Sequence, residues 1–559
     1  MKRIFILFFI LLSAFFVQAQ QIYPQDYFRS PIDFRMLLSG TFGELRPDHF
    51  HTGIDIKTRS VEGASVYAAA DGYISRIKIS AFGTGKTLYL THSNGFVSVY
   101  GHLSAFEKSL ATYAKEQQYK RKTFEVDLYL KKDQFKFAKG DIIALSGNSG
   151  SSGGPHLHFE IRDEKTQEPI NPLLFGIKVK DYIRPVINSI RVYPSGKKPF
   201  NLQLAGWGEN YRLKDGDTIG LPNDFYLAIN TIDKQNDTKN NNGVFEVALF
   251  VDSVQVFGNR QERLNFSTGR YINTFIDYAY YSEYRRRYQR AFVGEHNKLK
   301  LYTELKNNGV IHLTDSIFHQ IIYQVKDANN NVSKLKFYTF LDDSNKFEQL
   351  PTDTVKKAVF YADKENIFKA ENIKLIMPTN ALYDSLYFHF DVLKANKQNY
   401  APIYQLHSKE VPLHKYIKLS IRSDSIPEKL KSKILVARID NNNFIPSTTK
   451  WEGSWATASI RSFGNYTLIA DTVKPQIRRI NFSKNKVLKA GDKLSFIIKD
   501  ELSGIKSYKG FFNGEWVLFE YDAKNNLIFY TVEQKRLLKK NKILIEIEDR
   551  VGNKSIWSE

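Results

Sequence analysis

Three short strings in this 559-residue chain carry residue types that can do chemistry: His51-Thr52-Gly53-Ile54-Asp55, Tyr100-Gly101-His102-Leu103-Ser104 and Gly154-Pro155-His156-Leu157-His158-Phe159-Glu160. In the third, Phe159 and Ile161 continue a strand pattern, so His156 and His158 share one face with Cα atoms about 7 Å apart. At that spacing one imidazole can bind a metal ion while the other reaches a water on it. In the first string a straight strand would hold His51 and Asp55 about 13 Å apart, too far for one ion. Thr-Gly-Ile is also a poor helical centre. Gly53 is therefore expected to let the chain bend so that His51 and Asp55 converge. Two His and one carboxylate leave a fourth position open on Zn2+, as in catalytic rather than structural sites. Such an ion acidifies a bound water and polarises a carbonyl, and the remaining histidines can serve as general base and oxyanion donor. Any one of these strings is common by chance. Together, between residues 51 and 160 of one segment, they argue for a site.

The elements that must position them look like antiparallel β-structure. Alternating runs at Tyr73–Ile79 and Thr87–Thr91 are separated by Gly-containing turns. Ser104–Gln118 breaks that pattern: Phe106, Leu110 and Tyr113 fall at helical spacing, which predicts an inserted helix and loop. Histidine is concentrated in the same region, where His49, His51, His92, His102, His156 and His158 make up half of the twelve in the chain. Beyond residue 180 the chain is strand-rich and contains an internal echo. Arg184-Pro185-Val186-Ile187-Asn188-Ser189-Ile190 resembles Lys474-Pro475-Gln476-Ile477-Arg478-Arg479-Ile480. The segments these strings open close on Lys326–Ser333 and Glu548–Ser555, both rich in Asp and Asn. Pro beside an alternating strand suits an edge, and Asp/Asn/Gly turns suit a hairpin. The expected organisation is a signal peptide over 1–19 and a metal-site domain over 21–180. A β-sandwich module over 181–345, a β-rich module over 346–471 and an immunoglobulin-like module over 472–559 follow. The Lys/Asn-rich stretch 342–357 reads as a linker.

Composition narrows the classes. Apolar residues are 42% and aromatics 14% of the chain, enough for several cores and against dominant disorder. The net charge is +21, a surface that attracts polyanions: nucleic acid, anionic lipid or a cell-wall polymer. There is no cysteine, which excludes disulfide scaffolds, thiolate zinc sites and a cysteine nucleophile. Lys2 and Arg3, the apolar run Ile4–Leu12 and Val17-Gln18-Ala19 follow the grammar of a cleaved secretory signal. From Ile4 to Val17 the apolar stretch is only about 14 residues, short of the ~20 needed to span a bilayer. The expectation is an exported protein, in the periplasm or secreted, with no transmembrane segment and no nucleic-acid partner. Gly83-Thr84-Gly85-Lys86-Thr87 imitates a phosphate loop, but the motif's first Gly would fall on Ser80 and the following residues read as strand.

At these residues the chain resembles a known family. Phe42-Gly43-Glu44-Leu45-Arg46 leading to His51–Asp55, then Thr91–Ser104, then Gly140–Glu160, is similar to the lysostaphin/LytM-type zinc metallopeptidases, which cut peptide bonds in peptidoglycan. The resemblance covers about residues 35 to 175. It implies one Zn2+ per chain held by His51, Asp55 and His158, with His102 and His156 serving the water and the tetrahedral intermediate. It implies peptidoglycan peptides as substrate, and an envelope protein could dock on the C-terminal β modules. The stretch Ala105–Phe137 is longer than the loop expected there and could shape or cover the groove. Two other readings stand beside it. One is a catalytically silent envelope scaffold or regulator of another wall hydrolase. The other is a non-haem Fe(II) oxygenase, whose facial triad is also two His and one carboxylate; the two additional histidines speak against it.

Overall fold

The computed structural model of the protein describes residues 23–559 apart from 343, 345–346, 351–357, 396–397 and 484–485. The expected signal peptide and much of the expected 342–357 linker lie outside the described residues. The fold is mostly β. No helix among the described residues is long and apolar enough to cross a membrane.

The N-terminal domain is built on strands Leu38–Gly40 (β1), Ile54–Lys57 (β2), Ser65–Tyr67 (β3), Gly72–Ile79 (β4), Lys86–Thr91 (β5), Phe96–Leu103 (β6) and Ala105–Phe106 (β7). Helix Lys108–Arg121 (α1) follows, then Val126–Tyr129 (β8), Lys136–Phe137 (β9), Ile142–Leu145 (β10), His156–Asp163 (β11) and Pro169–Ile170 (β12). The main antiparallel sheet has the order β1-β2-β11-β6-β5-β4-β8, with β12 on β11 and β9 on β4; β3, β10 and β7 form a smaller sheet. The two-residue period of β11 decides its orientation. Leu157, Phe159 and Ile161 are fully buried with Ile54, Ile56, Leu88 and Tyr100 in the core. Each such burial stabilises the fold by roughly 1.5–3 kcal/mol. His156, His158 and Glu160 consequently face the other side.

The inserted helix starts later than its apolar spacing suggests. Ala105 and Phe106 pair with β10 as β7. Glu107 then caps α1, its carboxylate accepting from the Ser109 and Leu110 N–H groups. The buried residues Leu110, Ala114 and Gln118 lie four apart on one face. With β8, which pairs with β4, the insertion extends the sheet edge remote from β2 and β11. Its outer face meets the C-terminal module. Tyr119 packs edge-on against Trp516 with ring centres 5.4 Å apart, and Lys115 pairs with Glu533.

Three further cores follow, each closed between two sheets. Ile190 and Leu227 pack against Leu249, Tyr323 and Phe337 in the first; Leu375 and Leu419 against Val436 and Leu468 in the second; Phe496 and Ile528 against Phe512 and Ile545 in the third. The strand Val186–Pro194, expected at an edge, is instead central, paired on both sides. Pro185 lies just outside it, so its missing N–H costs the ladder nothing. The N-terminal core also recruits residues from beyond 180. Leu264, Tyr271, Ile272, Phe275 and Leu301 are buried in it, and Phe275 lies 5.5 Å edge-on from Phe50.

Two of the six clustered histidines belong to this framework. His49 is exposed beside Asp48. His92 is 3% exposed, donates from Nδ1 to the Asp71 carbonyl, bonds through Nε2 to Ser98 Oγ and packs edge-on to Phe28. Burial pushes its pKa down from 6.5 to about 4. The unfolded chain therefore takes up the proton first, and stability is lost as pH falls from 6.5 toward 4. The loss amounts to roughly 3 kcal/mol. We expect His92→Gln to unfold with a shallower pH dependence across that window in denaturant titrations. Superimposable pH profiles for the two proteins would refute this role.

Candidate metal centre

The pairing of β11 with its neighbours sets His158 opposite Asp55 on β2 and opposite Gly101 on β6. Directly opposed residues project from the same face, so Asp55 and His158 share a wall. His51 reaches it because the chain bends at Gly53 before β2 begins. The glycine is also required by proximity: a Cβ there would lie 2.4 Å from the Phe159 carbonyl oxygen and 2.8 Å from Glu160 Cγ. Gly101, opposite His158, leaves that wall open, and the next residue breaks the strand. His102 has a left-handed φ of 59° at a register shift between β5 and β6. A regular strand would turn His102 toward the core with Tyr100; the irregularity re-aims its imidazole to the His158 side. Its ring centre lies 4.7 Å from that of His156 and 5.9 Å from that of His158. All five residues singled out in the sequence thus meet at one place.

Three ligand-type atoms converge there. His51 Nε2 and His158 Nδ1 each lie 2.9 Å from Asp55 Oδ1, and 3.1 Å from each other. Tetrahedral zinc with ligands at about 2.0–2.1 Å has edges of about 3.3 Å, so these atoms need move only slightly to hold it. The opposite ring nitrogens fit the same purpose. His51 Nδ1 donates to the Thr41 carbonyl at 2.8 Å and His158 Nε2 donates to Glu160 Oε1 at 2.8 Å. Both partners accept only, which places the lone pairs offered to a metal on His51 Nε2 and His158 Nδ1. Asp55 Oδ2 is held by Arg46 Nη2 at 3.1 Å. The donor set, two imidazoles and one carboxylate, suits zinc.

The other two imidazoles are oriented in the same way. His102 Nδ1 donates to the Ser149 carbonyl and His156 Nδ1 to the Gly154 carbonyl, both at 2.8 Å. Their Nε2 atoms are thereby left as acceptors. His156 Nε2 is buried without a hydrogen-bond partner, 3.4 Å from Asp55 Oδ1.

Charge is distributed unevenly across the cluster. Burial pushes the His102 imidazole down to about 3, and the neighbouring His158 and His156 add to the effect. Burial also opposes charge on His158, but Asp55 and Glu160 outweigh it and hold its pKa up at about 9. Asp55 is buried as well, yet the His51 imidazole keeps its carboxyl well below the usual carboxylate range. Glu160, 1% exposed, stays ionised against burial because Arg162 and His158 face it. Thr52 Oγ1 also donates to Glu160 Oε1 at 2.6 Å.

Glu160 and Arg46 were not assigned roles from the sequence. Glu160 was legible, lying two residues beyond His158 on the same face of a strand. The carbonyls of Thr41 and Ser149 leave no mark in side-chain chemistry. The insertion 105–137, which could shape or cover the groove, packs against the C-terminal module.

Residues 49–123 match the family described as Peptidase family M23, and residues 357–471 match the Zu5-like domain. An "Uncharacterized metalloprotease" of Haemophilus influenzae is 34% identical over 131 residues, covering 23% of this chain and 21% of that protein. The DD-carboxypeptidase/endopeptidase Mpg of Neisseria meningitidis serogroup B is 32% identical over 123 residues, covering 22% of each. The chain thus spans about a fifth of the length of these curated relatives. The catalytic domain of the antimicrobial peptidase lysostaphin from Staphylococcus simulans is 23% identical, covering 24% of this chain and 88% of that one, with a TM-score of 0.19. The match begins two residues before His51, and on it the chain carries a Peptidase family M23 domain.

Proposed function

We propose that this protein is an exported zinc metalloendopeptidase that hydrolyses peptide bonds in peptidoglycan crosslinks or stem peptides. The observation that carries the reading is the convergence of His51 Nε2, Asp55 Oδ1 and His158 Nδ1, with the Nε2 atoms of His102 and His156 left free beside them. A binding scaffold would have no use for two extra imidazoles with locked tautomers. The relatives named as metalloprotease and as DD-carboxypeptidase/endopeptidase support the substrate class. The net charge of +21 supports retention on an anionic wall. Export to the periplasm rests on the N-terminal string of basic, apolar and small residues.

In this reading His51, Asp55 and His158 hold the zinc. When bound, zinc supplies Lewis acidity, which makes water a nucleophile near neutral pH and polarises the scissile carbonyl. The protein's own part is proton handling. The His102 imidazole is neutral at physiological pH, with Nε2 able to accept a proton while Nδ1 stays bonded to the Ser149 carbonyl. His156 is held likewise from the Gly154 carbonyl. Between them, one Nε2 takes the proton from the attacking water and passes it to the leaving amine. While that Nε2 carries the proton it is a donor to the carbonyl oxygen as negative charge develops there, and the second, neutral imidazole accepts from the attacking water through its own Nε2. Because both rings are fixed by backbone carbonyls, neither has to reorganise during the reaction.

The purified protein should release crosslink-cleaved muropeptides from sacculi, read by mass analysis, with activity lost to a chelator and restored by zinc. His51→Ala should lose metal and activity together. His102→Ala should keep most of its zinc while kcat falls by roughly 10²–10⁴. A protein that binds stoichiometric zinc yet leaves sacculi intact over a range of pH and salt would instead be a scaffold. Glu160 tests the geometry separately. Glu160→Gln should weaken zinc binding by about 10–100-fold in competition with a chromophoric chelator. Unchanged affinity would show that the carboxylate does not position His158.

A further inference from the structure

A second group of carboxylates lies away from the histidines, at the seam between the M23 domain and the first sandwich. Asp181 is in the connection leaving the M23 domain, Asp233 follows the strand Asp224–Ile232, and Asp327 follows His319–Lys326. One oxygen of each lies within 4.8 Å of the others, and none is more than 6% exposed. Asp327 is partly satisfied: Oδ1 accepts from the Asn329 and Asn331 N–H groups at 2.8 Å and Oδ2 from Asn331 Nδ2 at 2.6 Å. Asp181 Oδ1 accepts from the Ile183 N–H at 3.0 Å. Asp233 Oδ1 is buried with no hydrogen-bond partner. Among the described residues none of the three pairs with Lys or Arg. Burial first, and the neighbouring carboxylates second, push Asp233 up to about 9.

A different side chain points at the same place. Asn242 exchanges both backbone hydrogen bonds with Asp233 at 2.9 Å, so the two are directly opposed and their side chains leave one face. Asn242 is 3% exposed, and neither Oδ1 nor Nδ2 has a partner. It lines, with Asp181, Asp233 and Asn329, a cavity of about 20 Å³. That is room for a single water or ion. The three carboxylates of the group and the Asn242 amide oxygen are oxygen donors with no imidazole or sulfur beside them, a donor set that favours a hard cation over zinc.

We infer that Asp181, Asp233 and Asp327, together with the side-chain oxygen of Asn242, bind one Ca2+ ion in this seam. The ion neutralises carboxylates that otherwise repel one another and takes up the vacant acceptor positions of Asp233 and Asn242. Its position ties the sandwich to the catalytic domain. Gln235, two residues past Asp233, accepts through Oε1 from the Leu38 N–H in β1 at 2.8 Å. Gly243 N–H donates to Thr41 Oγ1 at 2.9 Å, and Thr41 is the residue whose carbonyl orients His51.

The C-terminal module supplies an internal contrast. Asp471, Asp500 and Asp549 form a similar group, and Asn553 repeats the contacts of Asn331, donating to the Asp471 carbonyl at 3.1 Å and to Asp549 Oδ2 at 2.6 Å. There, however, Ser503 N–H donates to Asp471 Oδ2 and Gly504 N–H to Asp500 Oδ2. Backbone donors fill the positions that stay vacant at Asp233.

The test is calorimetric titration of the zinc-saturated full chain with CaCl2, paired with thermal unfolding. One Ca2+ per chain and a raised unfolding midpoint are expected. Asp233→Asn should lose both effects and, with its repulsion removed, be at least as stable as the wild type without Ca2+. Asn242→Ala should weaken binding, and Asp500→Asn should leave it unchanged. Absence of saturable Ca2+ binding, or binding that survives Asp233→Asn or is lost in Asp500→Asn, would overturn the inference.

Discussion

The antiparallel register between β2 and β11 is the constraint on which the site depends. It sets His158 against Asp55, and the two-residue period of β11 then carries His156 and Glu160 to the same side while Leu157, Phe159 and Ile161 fill the core. A slip of one residue would exchange those faces, burying imidazoles and exposing three large apolar side chains. The geometry of the candidate site is therefore protected by the hydrophobic core and not by its polar residues alone. Gly53 enforces the register from the other strand, since any side chain there would strike the Phe159 carbonyl and push β2 away.

Around that register, the electrostatics follow one rule: each imidazole is anchored by one ring nitrogen so that the other is free to act. The anchors are carbonyls for His51, His102 and His156, and a buried carboxylate for His158. The difference has consequences. A carbonyl fixes a tautomer without adding charge, which suits a group that must remain neutral. A carboxylate raises the basicity of its ring and hence its strength as a ligand. Glu160 can supply that charge while buried because Arg162 neutralises it from the far side.

The parts of this arrangement that were legible in the sequence are those encoded by side-chain type and strand period. The five residues that converge, the antiparallel domain around them and the β-rich modules that follow all belong there. What was not legible depended on backbone choices made in three dimensions. His102 sits at a left-handed residue in a register break, and alternation alone would have sent it into the core. Phe106 has the spacing of a helical core residue but is claimed by β10, which shifts the start of α1. Pro185 looked like an edge marker because proline cannot donate within a ladder; one position before the strand it needs no such excuse. Glu160 is the opposite case, since the strand period that paired His156 with His158 already included it.

The sandwich modules are continuous with the walls of the site. On one side, Gln235 and Gly243 bond to Leu38 and Thr41, the segment that leads into β2 and orients His51. On the other, Lys524 reaches the Asn148 carbonyl, next to the Ser149 carbonyl that anchors His102. Glu520 meets Lys86 Nζ at 2.7 Å, and the same ammonium donates to the Ser104 carbonyl just past His102. The N-terminal core itself incorporates Tyr271, Ile272 and Phe275 from the first sandwich. His51 and His102, which the proposed function makes a metal ligand and a proton-handling imidazole, are thus each braced through backbone groups by a different module. These backbone bonds make the β modules part of the geometry of the candidate site.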